Sequence, residues 1–290
     1  MPPCPQRSVA PLPLSLLVVA SETPAQQEAR RARSGQASHE SYADALRQMA
    51  PGCAIAEHNC VDGSEAPPPA ALARHDGVLF AGSPIQMHEE TPETRAAAAF
   101  MARVFASGVP SFGSCAGLQI AAVAAGGRTA PRADGLEAGF ARGIVATDAG
   151  RTHPMLAGRP PAWDAPAMHT AVVDALPPGG IVLARAAGTA VEAAEIRSGA
   201  GTFWGVQYHP ELALHEIGEA LRGKAAALVR DGMAEDEDAI ARYAEALAAL
   251  DRDPARRDLT WPLGLDAEVT EPGRRRREIA NYLRHVAERR

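Results

Sequence analysis

Aromatic residues make up only 4% of this 290-residue chain, and its four cysteines form no CxxC pair. No apolar run approaches the length needed to span a membrane. The first scarcity means a core built largely from smaller side chains, with alanine carrying much of the 46% apolar content, so helices should be many and closely packed. The second leaves the chain without a zinc-ligand rhythm, and Cys53 and Cys60 on either side of His58 are expected to form a strand and its turn, not a metal site. Surplus positive charge is missing too: the net charge is −6, which argues against a nucleic-acid surface and for a small molecule or a protein as partner. There is also no Gly-rich phosphate loop.

What is present centres on Pro110-Ser111-Phe112-Gly113-Ser114-Cys115-Ala116-Gly117-Leu118-Gln119. Val109 to Phe112 read as the end of a buried strand and Gly117 onward as a helix, so Cys115 sits on the turn between them. A side chain on such a turn is pushed out of the backbone, and Gly113 and Gly117 let the chain bend and a substrate approach. A helix N-terminus favours the thiolate, which is the nucleophilic form. The same cysteine could be a small hydrophobe in a core, so its partners decide. The candidate partners lie in Gly205-Val206-Gln207-Tyr208-His209-Pro210-Glu211, a strand ending in a histidine with a glutamate two positions on. A cysteine nucleophile needs an imidazole in reach, and the imidazole needs a carboxylate to fix its tautomer. A lone histidine at a strand end is more often structural, but this one comes with the carboxylate and the cysteine.

The pair GSCAGLQ and GVQYHPE resembles the class I glutamine amidotransferases, whose patterns are GxCxGxQ and a histidine-proline-glutamate after a strand. The resemblance covers roughly residues 14 to 222. It implies a flavodoxin-like α/β fold with a mostly parallel sheet, helices on both faces and a small antiparallel portion. It also implies a catalytic triad of Cys115, His209 and Glu211, with no metal or organic cofactor for this chemistry. By the same resemblance, Gly82 shapes an oxyanion turn whose N–H donors come from Ser83 and Ala116, each worth about 3 kcal/mol when aimed at the developing charge. Gln119 helps hold the substrate and His169 helps wall its site. Two positions depart from the family pattern: Ala171 replaces an aspartate, and Glu192 stands where many relatives carry glutamine.

The implied reaction is hydrolysis of the γ-amide of L-glutamine through a cysteine thioester, with ammonia passing to a separate synthetase. The alternative is a free-standing γ-glutamyl peptidase or hydrolase, which the Gly82-Ser83-Pro84 version of the turn favours weakly. A third reading is a non-catalytic regulatory module. A thiolate enzyme fits a reducing compartment, so a cytoplasmic location without membrane association is expected.

Along the chain, residues 1–13 are expected to be a disordered N-terminus. Arg7 and the apolar run 14–20 faintly resemble a signal peptide, but Pro11 and Pro13 interrupt it, and 14–20 reads as the first buried strand. Residues 14–230 read as the amidotransferase domain and 231–290 as a helical extension. Ser21 to Ser38 shows no apolar stripe and reads as an exposed connection, in part helical. Strands are expected at 53–57 and 76–81, a helix at 93–106, and antiparallel strands around 140–147 beside the main sheet. Leu212 to Val229 reads as one amphipathic helix, 239–250 as a second, and 274–286 as a basic one whose Arg274 to Arg277 form a solvated face. Trp261, Leu263 and Leu265 imply that this tail packs back onto the domain or onto a second copy in a homo-oligomer.

Overall fold

Successive residues of the first apolar run go to opposite sides of a sheet: Leu16 and Val18 enter one core, Leu17 and Val19 another. A strand buried on both faces has no polar alternation to show, which is why it reads as a continuous apolar run. The computed structural model describes residues 13–289. The expected disordered N-terminus therefore lies, apart from Pro13, outside the described residues.

The strands are β1 (Ser15–Ala20), β2 (Ala54–Asn59), β3 (Gly77–Phe80), β4 (Ser111–Ser114), β5 (Arg128–Pro131), β6 (Glu137–Ala146), β7 (Ala162–His169), β8 (Ala171–Ala175), β9 (Gly180–Ala186), β10 (Thr189–Ser198) and β11 (Gly201–Val206). The helices are α1 (Pro24–Ser34), α2 (Ser38–Met49), α3 (Pro69–Leu72), α4 (Pro92–Ser107), α5 (Ala116–Ala124), α6 (Asp148–Thr152), α7 (Leu214–Arg222), α8 (Ala225–Arg230), α9 (Glu237–Arg252), α10 (Arg257–Leu263), α11 (Ala267–Thr270), α12 (Pro272–Arg275) and α13 (Arg277–Glu288).

Nine strands form one sheet in the order β2-β1-β3-β4-β11-β10-β9-β6-β7, and β5 pairs with β8 in a small antiparallel ribbon. The first five run parallel in the 2-1-3-4-5 order of flavodoxin-like folds, taking β11 as the fifth. The antiparallel strands expected beside the main sheet instead continue it, because β10 pairs antiparallel to β11 and carries β9, β6 and β7 with it. Helices α4 and α5 cover one face, packing Phe100, Met101, Val104, Leu118 and Ile120 on Val78, Phe80 and Phe203. Helices α2 and α13 cover the other, with Tyr42, Leu46, Ile279 and Tyr282 on Leu16, Phe112 and Trp204.

That second face shows what the tail does. Tyr282 reaches across the sheet edge and donates its hydroxyl to the Pro110 carbonyl at 2.8 Å. Gly77 has no room for a side chain because the Tyr282 hydroxyl occupies it, 2.5 Å from where a Cβ would stand. Buried Arg159 pairs with Glu268 at 2.7 Å and Glu278 at 2.6 Å, joining the loop after the 3-10 turn Pro154–Leu156 to α11 and α13. Leu265 is buried with α7 and α9, whereas Trp261 remains exposed.

Three local expectations need correction. Residues 24–34 form a full helix, started by a reciprocal Thr23–Gln26 capping box that the absence of an apolar stripe had masked. The segment 212–229 breaks into α7 and α8 around Gly223-Lys224. The arginine run is not a solvated face: Arg275 is buried and donates to the Leu212 and Val269 carbonyls, and Arg276 reaches Gln48. A run of one charge is solvated only where no carbonyls wait for it.

Candidate active site

Strands β3, β4 and β11 are neighbours in the sheet, so their carboxyl ends open onto one rim, where parallel α/β sheets bind ligands. The segments after them hold Gly82-Ser83, Cys115 and His209 respectively. All of these residues line a single cleft of about 360 Å³.

Cys115 has φ 50° and ψ −104°, and among the described residues it is the one non-glycine with positive φ. Such a conformation costs about 1–3 kcal/mol and persists only when the surroundings over-determine it. Here they do. The Cys115 amide donates to the Val206 carbonyl at 2.8 Å. On either side, a Cβ on Gly113 would stand 2.9 Å from Gly117 Cα, and one on Gly117 would stand 2.9 Å from Phe80 Cβ. The glycines of the motif are thus spaces taken by neighbours. Ala116 is the first residue of α5, where a backbone N–H has no partner within the helix.

His209 is buried and its Nδ1 lies 2.8 Å from Glu211 Oε1. Glu211 is held in turn by the Ser114 hydroxyl, which donates to Oε2 at 2.8 Å. The His209 amide donates to the Pro166 carbonyl, so β7 braces the loop. Burial alone would disfavour the imidazolium, but the Glu211 carboxylate and the facing Cys115 outweigh it and raise His209 to about 10. Gly82 lies directly under the ring, and any Cβ there would overlap His209 Cε1. Ser83 accepts a hydrogen bond from the Ser21 hydroxyl at 2.8 Å, which ties the turn after β3 to the end of β1.

One wall of the cleft is formed by Met168, His169, Thr170 and Ala171. Behind it Gln119 is buried and donates its Nε2 to the Ala171 carbonyl at 2.9 Å and to Gln207 Oε1 at 3.2 Å. His169 donates Nδ1–H to the same carbonyl at 3.1 Å, and its Nε2 lies 2.8 Å from Glu137 Oε2 at an angle too oblique for a hydrogen bond. Glu192, expected at the pocket edge, does not line the cleft. It is fully buried behind it, both carboxylate oxygens lack a hydrogen-bond partner among the described residues, and burial together with the Glu137 carboxylate raises it to about 8. Cys53, His58 and Cys60 do not converge as ligands: His58 stacks on Phe100, and burial pushes the Cys60 thiol up to about 12.

A second wall comes from α1, α7 and the α7–α8 turn, through Gln26, Arg30, Arg33, Glu216, Ala220, Gly223 and Lys224. Sequence reasoning missed this wall, and also Ser114, Glu137 and Gln207. Ser114 stands inside the recognised motif and was legible there only as a small residue. The helical spacing of Gln26, Ala29, Arg30 and Arg33 was a usable signal that the search for an apolar stripe passed over.

Residues 36–225 match the sequence profile of the class-I glutamine amidotransferase family. This chain belongs to that family. It is 37% identical over 220 residues to a gamma-glutamyl-L-1-hydroxyisopropylamide hydrolase of a Pseudomonas species, the alignment covering 74% of each chain. It is also 37% identical over 146 residues to the glutamine-hydrolyzing GMP synthase of Thermomicrobium roseum, covering 50% of this chain but only 25% of that protein. In fold, it is similar to a glutamine amidotransferase of Thermotoga maritima (TM-score 0.63, 13% identity, 93% and 98% of the two chains). A glutamine amido transferase of Methylobacillus flagellatus is comparable (TM-score 0.62, 17% identity, 95% of each).

Proposed function

We propose that this protein is a cysteine amidohydrolase that cleaves γ-glutamyl amide bonds. The observation that carries this reading is Cys115 at its positive-φ turn, facing a histidine that is raised by, and bonded to, Glu211. Similarity along 74% of a γ-glutamyl amide hydrolase supports it, as does Ala171 where the family's aspartate would contact a native glutamine.

In this mechanism the Cys115 thiolate attacks the γ-carbonyl carbon, and the oxygen becomes an oxyanion held by the N–H groups of Ser83 and Ala116. The His209 imidazolium gives its proton to the amide nitrogen as the C–N bond breaks, leaving a γ-glutamyl thioester and a free amine. Water then enters, loses a proton to the now neutral His209 and attacks the thioester. Cys115 leaves as the thiolate, the imidazolium is restored, and the product is glutamate. Glu211 keeps His209 in place throughout, and Ser114 keeps Glu211. Gln119 and His169 fix the wall against which the glutamyl portion rests. A thiolate enzyme suits a reducing compartment such as the cytoplasm.

A second reading, L-glutamine as substrate with ammonia passed to a separate synthetase, is favoured by the similarity to the GMP synthase. The test is glutamate release from L-glutamine beside a panel of γ-glutamyl amides, with Cys115→Ala as blank. Cys115-dependent turnover of the amides and little of glutamine is the expected result. Glutamine turnover that equals or exceeds it would move the assignment to the second reading, and no turnover of either would remove both.

A further inference from the structure

Helix α1 has no buried residue. A helix that is polar all round has little reason to stay folded on a protein unless something other than apolar packing uses it. It is held by the Thr23–Gln26 cap and by Arg31, whose guanidinium meets Glu40 at 2.7 Å. The face it turns to the cleft is Gln26, Ala29, Arg30 and Arg33. Arg33 lies over Gly223, where a Cβ would stand 2.9 Å from its Cδ, so α1 meets the α7–α8 turn and places Arg33 near Lys224. Lys224 is the sole lysine in the chain.

Ion pairs are abundant elsewhere in this protein, yet Arg30, Arg33 and Lys224 make no ion pair and no side-chain hydrogen bond among the described residues. Arg30 Nε is buried without a partner. The two carboxylates that share the cleft are already engaged: Glu216 accepts from the Ala213 amide at 2.8 Å, and Glu22 from the Ser38 amide at 3.0 Å. Three free cations around one opening form a site for an anion.

Their position says which part of a substrate they meet. The leaving nitrogen must lie toward His209, its proton donor. The chain after His209 runs directly into Leu212 and α7, whose Glu216 and Ala220 line the cleft with the three cations. The glutamyl portion then rests on the wall of Gln119 and residues 168–171. We infer that Arg30, Arg33 and Lys224 form a subsite for a carboxylate on the leaving amine, so that the substrates are γ-glutamyl amino acids or peptides; this rests on the hydrolase reading above. Ammonia from glutamine offers these cations nothing to hold, and a neutral amine offers no charge.

The test uses γ-glutamyl-L-alanine and γ-glutamyl-L-alaninol, which differ only in a carboxylate against a hydroxymethyl group. With the full chain, kcat/KM for the acid is expected to exceed that for the alcohol by about tenfold or more at low salt, and the ratio to shrink as salt is added. In Arg30→Gln/Arg33→Gln/Lys224→Gln the ratio falls to about one; the single Arg33→Gln variant, at an exposed position, gives a partial fall and serves if the triple variant does not fold. A ratio of one or below in the parent, or a ratio unmoved by substitution, overturns the subsite. Calorimetric binding of both compounds to Cys115→Ala separates the two claims. Preferential binding of the acid with no hydrolysis by the parent would remove the hydrolase reading and keep the subsite, whereas equal binding would remove the subsite whatever the turnover.

Discussion

The two walls of the cleft are built on opposite terms. On the side of residues 168–171, Gln119 and His169 both donate to the Ala171 carbonyl and Gln119 also donates to Gln207 Oε1, while Gln207 Nε2 and His169 Nε2 find no hydrogen-bond partner among the described residues. On the side of α1 and the α7–α8 turn, three cations meet no side-chain partner among the described residues. Polar groups bonded to one another fix a shape, which suits a portion of the ligand that never changes; groups left open keep their hydrogen bonds for the ligand. On the proposed reading, the constant glutamyl end meets the first wall and the variable amine the second.

The reaction centre is common to both walls, so its loss should be the largest effect. Cys115→Ala is expected to lower kcat/KM on every γ-glutamyl substrate by about 10⁴-fold or more, read by glutamate release. Equal activity on any of them would detach the chemistry from this cleft.

Glu211→Gln should follow, with a loss of about 10³–10⁴-fold in kcat, and it carries a pH signature. His209 is raised to about 10 in the folded chain against an ordinary value near 6.5. A group raised on folding stabilises fully below its unfolded value, and that stability is lost as the pH rises through its folded one. Thermal melts of the parent should therefore decline from neutral pH toward 10. The glutamine variant, lacking the carboxylate that raises His209, should show a flatter profile across that window. A decline of the same size in both would mean that Glu211 does not hold the imidazolium.

Gly82→Ala tests whether the space under the imidazole matters. A Cβ there displaces His209, and a misplacement of about 1 Å costs roughly 100-fold in kcat. Unchanged kcat would show that the ring can shift without cost.

The last two predictions set wall against wall by stability. Gln119→Leu strips the Ala171 carbonyl and Gln207 of a buried donor and should cost about 1–3 kcal/mol in urea unfolding. Arg33→Gln, on the open wall, should stay within about 0.5 kcal/mol of the parent. Comparable losses at the two positions would erase the contrast between a cross-bonded and an open wall.

Much of this was legible in the chain because the chemistry demands particular residues at fixed short spacing. Gly113, Cys115, Gly117 and Gln119 lie within one strand-turn-helix, and His209 and Glu211 are two positions apart. The parallel core was legible as well, since a strand stretch buried on both faces, such as 16–20, carries no polar residue. What resisted reading is the part in which distant segments answer one another. Glu192 gives no local hint that it lies behind the cleft and not on it, because a bulged strand, β10, decides where its side chain goes. The arginines at 275 and 276 look like surface charge until the Leu212 and Val269 carbonyls and Gln48 are brought to them.

The sequence by itself determined the turn of the candidate nucleophile, the histidine and carboxylate that pair with each other, and the sheet whose strand ends carry them, since each depends on contacts a few residues apart or on a repeating pattern of burial. Only the tertiary structure decided that α13 closes a face of the sheet and that α1, with no apolar stripe to announce it, stands over the site. Both rest on packing between segments far apart along the chain, where no local period records which surfaces will meet.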